Sequence, residues 1–406
     1  MNLMTIPYRT SHIMMKGVLN VLKLPIPPSL VGPGMVKRFP EIISLCDVHK
    51  ALVITDKPLM EMGLLDGFLE ALKKAGIDYS VFDGVQPNPT FENIYDGLEA
   101  YYTEGCDGVI AFGGGSSMDC AKIVAAKVTN DKPIPKMKGL FKLTHRLPPF
   151  FAIPTTAGTG SEATVCAVIT DTSNHEKFAI NDPKLVPLAT VLDPELMVGL
   201  PPALTASTGM DALTHAVEAY IGHYDAPFVK EKALAATEVI MRDLEAVYKD
   251  GSNLKLRQNM SVASFDAGLA FTRAYVGYVH AIAHNLGGFY GVAHGFANAV
   301  ILPHILEFSR EAAQKKLSEL ALCAGLGEPW DSEEILSYRF IDRIKEMNAN
   351  MGIPETIDAL RIEDIPELAR RVLKEANPTY PVPKIMDYDE CVAMLEELVT
   401  PEKVED

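Results

Sequence analysis

Basic residues are scarce in this chain: 37 Lys and Arg stand against 53 Asp and Glu, for a net charge of −16. That deficit argues against nucleic acid, whose phosphates need a basic face, and against anionic membrane surfaces. Long apolar runs are missing too, and none reaches the roughly 18 residues that span a bilayer. Val18 to Leu24 is interrupted by Asn20 and Lys23 and leads to no small-residue cleavage site, so no secretory signal is expected. The six cysteines are far apart and form no C-x-x-C pair. They read as reduced thiols of a cytoplasmic protein, and they supply no sulfur-rich metal site. Any metal must be held by His and carboxylates.

What is present is ordinary for a soluble globular chain of 406 residues: 48 % hydrophobic and 22 % charged. The length suggests two or three domains. Strand and helix signals alternate in the first half. Strands are expected at Ala51 to Thr55, Tyr79 to Phe82, Gly108 to Phe112 and Phe151 to Ile153. Helices are expected at Leu64 to Lys74, Phe91 to Thr103 and Ser117 to Val128. Such alternation implies a parallel sheet covered on both faces, a Rossmann-like α/β domain. After Pro201 and Pro202 helical patterns take over, at about Thr205 to Ile221, Pro227 to Asp250, Ser261 to Asn285 and Asn298 to Ser309. The expected division is a lead segment over 1–28, an α/β domain over 29–200 and an all-α domain over 201–406.

Gly113-Gly114-Gly115-Ser116 follows an expected strand and opens an expected helix. Glycines there let the backbone approach a pyrophosphate, and the helix N-terminus favours its charge. A plain strand–helix turn would use the same residues. Asp56 ends another strand at the carboxyl edge, where nucleotides bind in open α/β sheets. Its carboxylate can accept from the ribose 2′-OH of NAD and would repel the 2′-phosphate of NADP; a helix cap is the plainer alternative. Ile153 to Glu162 (IPTTAGTGSE) concentrates hydroxyls and glycines after a further strand.

Six of the ten histidines fall between residues 215 and 304. Asp211 and His215 are four apart in a helical stretch and share one face, with Glu218 continuing the stripe. His280 and His284 are also four apart, before Gly287-Gly288, where a helix stop is expected. His294 stands beside Gly295 at an expected helix start, whose positive end favours a neutral, metal-binding imidazole. One carboxylate and three imidazoles could hold a divalent ion and leave a position open for an oxygen ligand. Spacing alone does not decide which of Asp211, His215, His280, His284 and His294 is left out. His223 and His304 read as structural or surface residues, and Phe271 and Tyr275 as pocket or core.

These segments together resemble the iron-containing (group III) alcohol dehydrogenase family. The likeness rests on VITD (53–56), DGVQPNPT (83–90), GGGSSMDCAK (113–122), IPTTAGTGSEAT (153–164), GMDALTHAVEAY (209–220) and HAIAHNLGGFYGVAHGFANAVILPH (280–304). The resemblance implies the dehydroquinate-synthase-like two-domain architecture, an NAD-binding α/β domain followed by a helical metal domain. It implies Asp211, His215, His280 and His294 as metal ligands, with His284 beside them relaying a proton. It aligns Asn88, Gly114, Gly115, Ser116, Asp119, Thr155, Thr156, Thr159 and Lys177 with cofactor contacts, and Asp56 with members that prefer NAD.

The activity so implied is reversible hydride transfer between a small primary alcohol and NAD, the alcohol oxygen being activated by Fe²⁺. Zn²⁺ binds His and carboxylate sites more tightly in the usual affinity order. The expected partners are a small alcohol or aldehyde and, for assembly, a second copy in a homodimer. One competing reading is a dehydroquinate-synthase-like lyase. Its polyanionic substrate needs a basic pocket, and no Lys/Arg cluster near residues 205–304 provides one. A non-catalytic nucleotide sensor is the other.

Overall fold

The computed structural model describes residues 6–173 and 176–401. The first five residues of the expected lead segment lie outside the described residues. Two compact units form. One comprises Leu24–Pro201 with Asp250–Thr272; the other takes the described residues up to Lys23, Pro202–Lys249, and those from Arg273 on.

The first unit is built on a six-stranded parallel sheet. The chain leads with helix α1 (Ile6–Val21), which belongs to the other unit, then enters the sheet through β1 (Ser29–Val31). There follow α2 (Phe39–Ile43), β2 (Lys50–Ile54), α3 (Lys57–Glu61), α4 (Asp66–Lys74), β3 (Asp78–Phe82), α5 (Phe91–Thr103), β4 (Gly108–Gly113) and α6 (Gly115–Thr129). Next come β5 (Gly139–Leu140), β6 (Phe150–Pro154), β7 (Cys166–Asp171), β8 (Glu176–Asn181) and β9 (Ala189–Leu192). Strand order in the main sheet is β1-β9-β6-β4-β2-β3.

From β2 the chain moves outward to β3, then crosses back to place β4 on the other side of β2. That reversal puts the carboxyl ends of β2 and β4 side by side at a topological switch point, where ligands bind in such sheets. The strands read as near-continuous apolar runs because both faces are covered; every residue of β4 and β6 is buried. A small sheet, β5-β8-β7, flanks this core. Its antiparallel β7–β8 pair escapes the sequence pattern because it carries polar residues such as Thr170, Lys177 and Asn181 among its apolar ones.

The second unit is helical: α7 (Pro202–Ile221), α8 (Pro227–Lys249), α10 (Tyr278–Tyr290), α11 (His294–Cys323), α12 (Glu333–Asn350), α13 (Ile365–Ala376) and α14 (Tyr388–Glu397). Two local readings are corrected. First, the stretch expected to run from Ser261 to Asn285 is two helices. The earlier, α9, is Leu254–Ala274, and it stops where Tyr275 adopts φ 61°, a left-handed backbone poorly suited to a helix. Second, Gly287 and Gly288 do not stop α10; Gly291 does, at φ 70°. The sheet unit also takes in a later segment, Asp250–Thr272. Much of α9 clusters with the sheet unit, where Gln258 Nε2 donates to Leu192 O (3.4 Å) and Arg257 Nη2 to Leu200 O (3.3 Å).

Helix α1 carries inward-facing polar residues. Arg9 donates to the carbonyls of Val382 (2.7 Å) and Pro383 (2.6 Å), Lys16 pairs with Asp225, and buried His12 lies beside His223 and Tyr224. No helix among the described residues is long and apolar enough to cross a membrane.

Candidate active site

The helical unit gathers the metal-type donors. Helix α7 presents Asp211 and His215 one turn apart, α10 brings His280, and α11 begins at His294. Gly295 makes the last placement possible: a Cβ there would lie 2.5 Å from the Ser207 carbonyl oxygen of α7. One ligand-type atom from each of Asp211, His215, His280 and His294 lies within 4.8 Å of the others. The His215 and His280 rings stack with centroids 4.5 Å apart. Asp211 Oδ1 is 3.5 Å from His294 Nε2 and 4.0 Å from His280 Nε2. Among the described residues this is the group of metal type, and His284 is outside it, its ring stacked on His294 at 5.1 Å.

Two neighbours set the protonation of this cluster. Glu218, one helical turn beyond His215, accepts from Gly277 N (2.7 Å), Val279 N (2.8 Å) and His280 Nδ1 (2.6 Å). Asn298, buried one turn after His294, points Nδ2 at Asp211 Oδ1 (2.6 Å), His280 Nε2 (3.3 Å) and His294 Nε2 (3.2 Å). That amide nitrogen has two protons to give, so at most two of these three atoms accept from it at once, while Glu218 takes the proton of His280 Nδ1. His280 therefore carries its proton on Nδ1, toward Glu218, and turns a lone pair inward. Burial, followed by the neighbouring His215, His294 and His284, holds His280 well below the usual imidazole range, and so neutral. Burial also pushes Glu218 up to about 8, against the hydrogen bonds it accepts.

A divalent cation fits this donor set. Imidazole nitrogens and a carboxylate suit it, and the Asn298 donor standing among three acceptors marks a position that favours positive charge. Glu218 and Asn298 are members of the site that sequence reasoning left without a role. The signal for both was available: Glu218 lies three residues after His215, and Asn298 four after His294, each on the same helical face.

The sheet unit brings the expected dinucleotide residues to the carboxyl ends of β2, β4 and β6. The N-cap of α6 is Gly114 in extended conformation, which has no side chain to cap the first N–H groups. A Cβ at Gly115 would come within 2.7 Å of Thr159 Cγ2, so any larger residue there would have to displace the Thr159 side chain where the turn meets the threonine loop. Thr155 N donates to Gly113 O (3.1 Å), which ties that loop to the turn. Thr156 lies 3.5 Å from where a Gly114 Cβ would be. Ser116 Oγ accepts from Asn88 N (3.3 Å), and Asn88 sits at φ 58° with its Oδ1 accepting from Lys177 Nζ (2.8 Å). Burial lowers Lys177 to about 8.

Two expected contacts have structural duties here. Asp56 caps α3, with Oδ1 accepting from Leu59 N (3.1 Å), while Ser117 Oγ donates to Oδ2 (3.4 Å). Asp119 is half-buried, accepting from Ser161 Oγ and Val168 N (both 2.9 Å), and it ties the threonine loop and β7 to α6. Lys122 is fully buried, donates to Thr164 O, Thr164 Oγ1 and Cys166 O, and had no role in the sequence reading. Tyr275 packs edge-on against Tyr224 at 6.0 Å, as a core residue would.

Fold and donor set together define a two-unit α/β-plus-helical chain with a candidate metal centre. The chain matches the iron-containing alcohol dehydrogenase family over residues 27–194 and that family's C-terminal domain over residues 205–399, and it belongs to this family. It is 42 % identical over 350 residues to a 1,3-propanediol dehydrogenase of Citrobacter freundii, covering 85 % of this chain and 90 % of that protein. It is 35 % identical over 353 residues to an NAD-dependent methanol dehydrogenase of Bacillus methanolicus, covering 86 % and 93 %. Among solved structures, a 1,3-propanediol oxidoreductase superposes with a TM-score of 0.90 at 38 % identity, covering 93 % of this chain and all of that one.

Proposed function

We propose that this chain interconverts small primary alcohols and their aldehydes with NAD, using a divalent metal held by Asp211, His215, His280 and His294. The carrying observation is the convergence of those four donors, three of them buried, in a chain of this family. The relatives named for propanediol and methanol support small primary alcohols, and the methanol dehydrogenase supports NAD. The family name supports iron, and the donor set accepts Zn²⁺ as well. All six cysteines are free thiols, which supports a cytoplasmic location.

When bound, the metal supplies Lewis-acid activation of the alcohol oxygen, and the dinucleotide supplies the hydride acceptor. The protein's own residues do the rest. Glu218 holds His280 in the ligating tautomer, and Asn298 spaces the inward lone pairs. Gly114, Gly115 and Ser116 offer N–H and hydroxyl groups to the pyrophosphate at the start of α6. Thr155, Thr156 and Thr159 line that turn with hydroxyls, and Asn88 and Lys177 add an amide and a cation. Asp56 accepts from the ribose 2′-OH. His284 takes the alcohol proton and passes it toward solvent.

The test pairs elemental analysis of protein purified without oxygen with alcohol and aldehyde panels on both nicotinamide cofactors. Steady NADH formation from short primary alcohols, dependent on stoichiometric metal, is expected. His280→Ala should lose metal and activity together. Full metal occupancy without alcohol-dependent NADH formation would overturn the reading.

A further inference from the structure

We infer that Glu375 is the positioning residue for His284: it locks the imidazole with its proton on Nδ1 and its Nε2 lone pair directed away, ready to accept. This rests on the proton-transfer role proposed above for His284.

The geometry decides the tautomer by elimination. Glu375, in the last turn of α13, receives three groups. Oε1 lies 2.7 Å from His284 Nδ1 and 2.9 Å from Tyr380 Oη, and Oε2 lies 3.1 Å from Asn285 Nδ2. Asn285 Nδ2 can only donate, and it donates again to Ala281 O at 2.8 Å, which fixes its orientation. A carboxylate among such donors is the acceptor. His284 must then donate from Nδ1, which in the neutral ring leaves Nε2 as the acceptor. The ring plane is held separately, by stacking on His294 with 13° between planes.

The support beneath Glu375 is built rather than incidental. Tyr278, at the start of α10, donates to Asn377 Oδ1 (3.3 Å) and accepts from Met386 N (3.0 Å), which pins the segment after α13. Arg9 of α1 takes two more carbonyls of the same segment, Val382 and Pro383. Arg371 of α13 lies over the Phe289 ring of α10 at 4.7 Å. Glu375 and His284 therefore sit on two elements clamped to one another, as an orienting pair requires. The side chains are 29 % and 22 % exposed, so the pair reaches water.

The experiment compares Glu375→Ala, Glu375→Gln and wild type. The readouts are kcat and KM for a short primary alcohol and the histidine ¹⁵N resonances of Zn²⁺-loaded protein, with the His284 signals assigned by their loss in His284→Gln. Wild type is expected to show His284 protonated on Nδ1. Glu375→Ala should lose that tautomer and about tenfold in kcat, with KM changing less than twofold and metal content unchanged. Glu375→Gln keeps an amide oxygen as acceptor and should restore the tautomer and most of kcat. An Nε2-protonated His284 in wild type, or an unchanged tautomer in Glu375→Ala, overturns the inference. So does a kcat loss that Gln fails to restore. The tautomer is read without turnover, so absence of alcohol oxidation in wild type would count against the proposed function while the resonances still decide the role of Glu375.

Discussion

Glu218 Oε2 lies 2.6 Å from His280 Nδ1, with both side chains 2 % exposed. The same carboxylate takes the N–H groups of Gly277 and Val279, so it both starts α10 and aims its first histidine. Removing it strands two backbone donors, at about 1–3 kcal/mol each, and frees the ring to rotate. Glu218→Ala should therefore weaken metal binding roughly 10–100-fold and lower the melting temperature. Metal titration alongside thermal unfolding checks this. Wild-type metal affinity in the variant would show that His280 needs no orienting partner.

Gly295 decides whether His294 can reach Asp211. An alanine methyl there meets the Ser207 carbonyl at 2.5 Å, and both atoms belong to packed helices. Gly295→Ala should push the start of α11 off α7, at about 1–3 kcal/mol for an overpacked contact. Metal occupancy should fall with it. The check is metal stoichiometry against urea stability, and an unchanged pair of values would mean that α11 can shift without moving the histidine.

Asp56 combines a helix cap with the proposed ribose contact, so its two duties need separate variants. Asp56→Gly should raise kcat/KM with NADP relative to NAD and cost a few tenths of a kcal/mol, since glycine is itself a tolerable cap. Asp56→Asn keeps the cap on Leu59 but removes the charge. It should relax cofactor choice with little loss of stability. If both variants keep the wild-type NAD/NADP ratio, Asp56 is a cap and nothing more.

Lys177 supplies a pH dependence with a definite sign. Burial lowers its ammonium to about 8 in the ligand-free protein. Below that pH it is charged and attracts the anionic dinucleotide; above it the charge is lost. Dinucleotide affinity should therefore be flat below about pH 8 and weaken as pH rises through it. The stability effect has the opposite sense. The unfolded lysine holds its proton to about 10.4, so the desolvation penalty applies in full below about pH 8 and is relieved as pH rises from about 8 to about 10.4. Titration of NAD between pH 6.5 and 9.5 is the measurement. Lys177→Met should bind more weakly at pH 7 and lose the dependence; a parallel curve in the variant would assign the pH effect to another group.

Local chemistry made part of this protein legible without coordinates. The alternation of β-rich runs with helical periods announced the parallel sheet, because strands buried on both faces need continuous apolar residues. The helix expected at Phe91 to Thr103 forms over that span, opened by the Thr90–Asn93 capping box. Asp211 with His215, and His280 with His284, declared themselves by four-residue spacing, since a helix places such pairs on one face. Other features left no sequence mark. The β7–β8 hairpin lies where polar and apolar residues mix, and α1 is held by Arg9 through backbone carbonyls more than 370 residues away.

The choice between His280 and His284 shows the division most plainly. Both histidines occupy the same face of α10 at equivalent spacing, so sequence by itself determined that this face carries imidazoles but could not rank them. Tertiary structure decided, because the partners come from elsewhere in the chain. Glu218 of α7 turns His280 Nε2 toward Asp211, and Glu375 of α13 takes the Nδ1 of His284. Which nitrogen of an imidazole is left to act depends on the hydrogen bond made by the other. Those bonds span 62 and 91 residues, distances over which only the packing of helices can bring two side chains together.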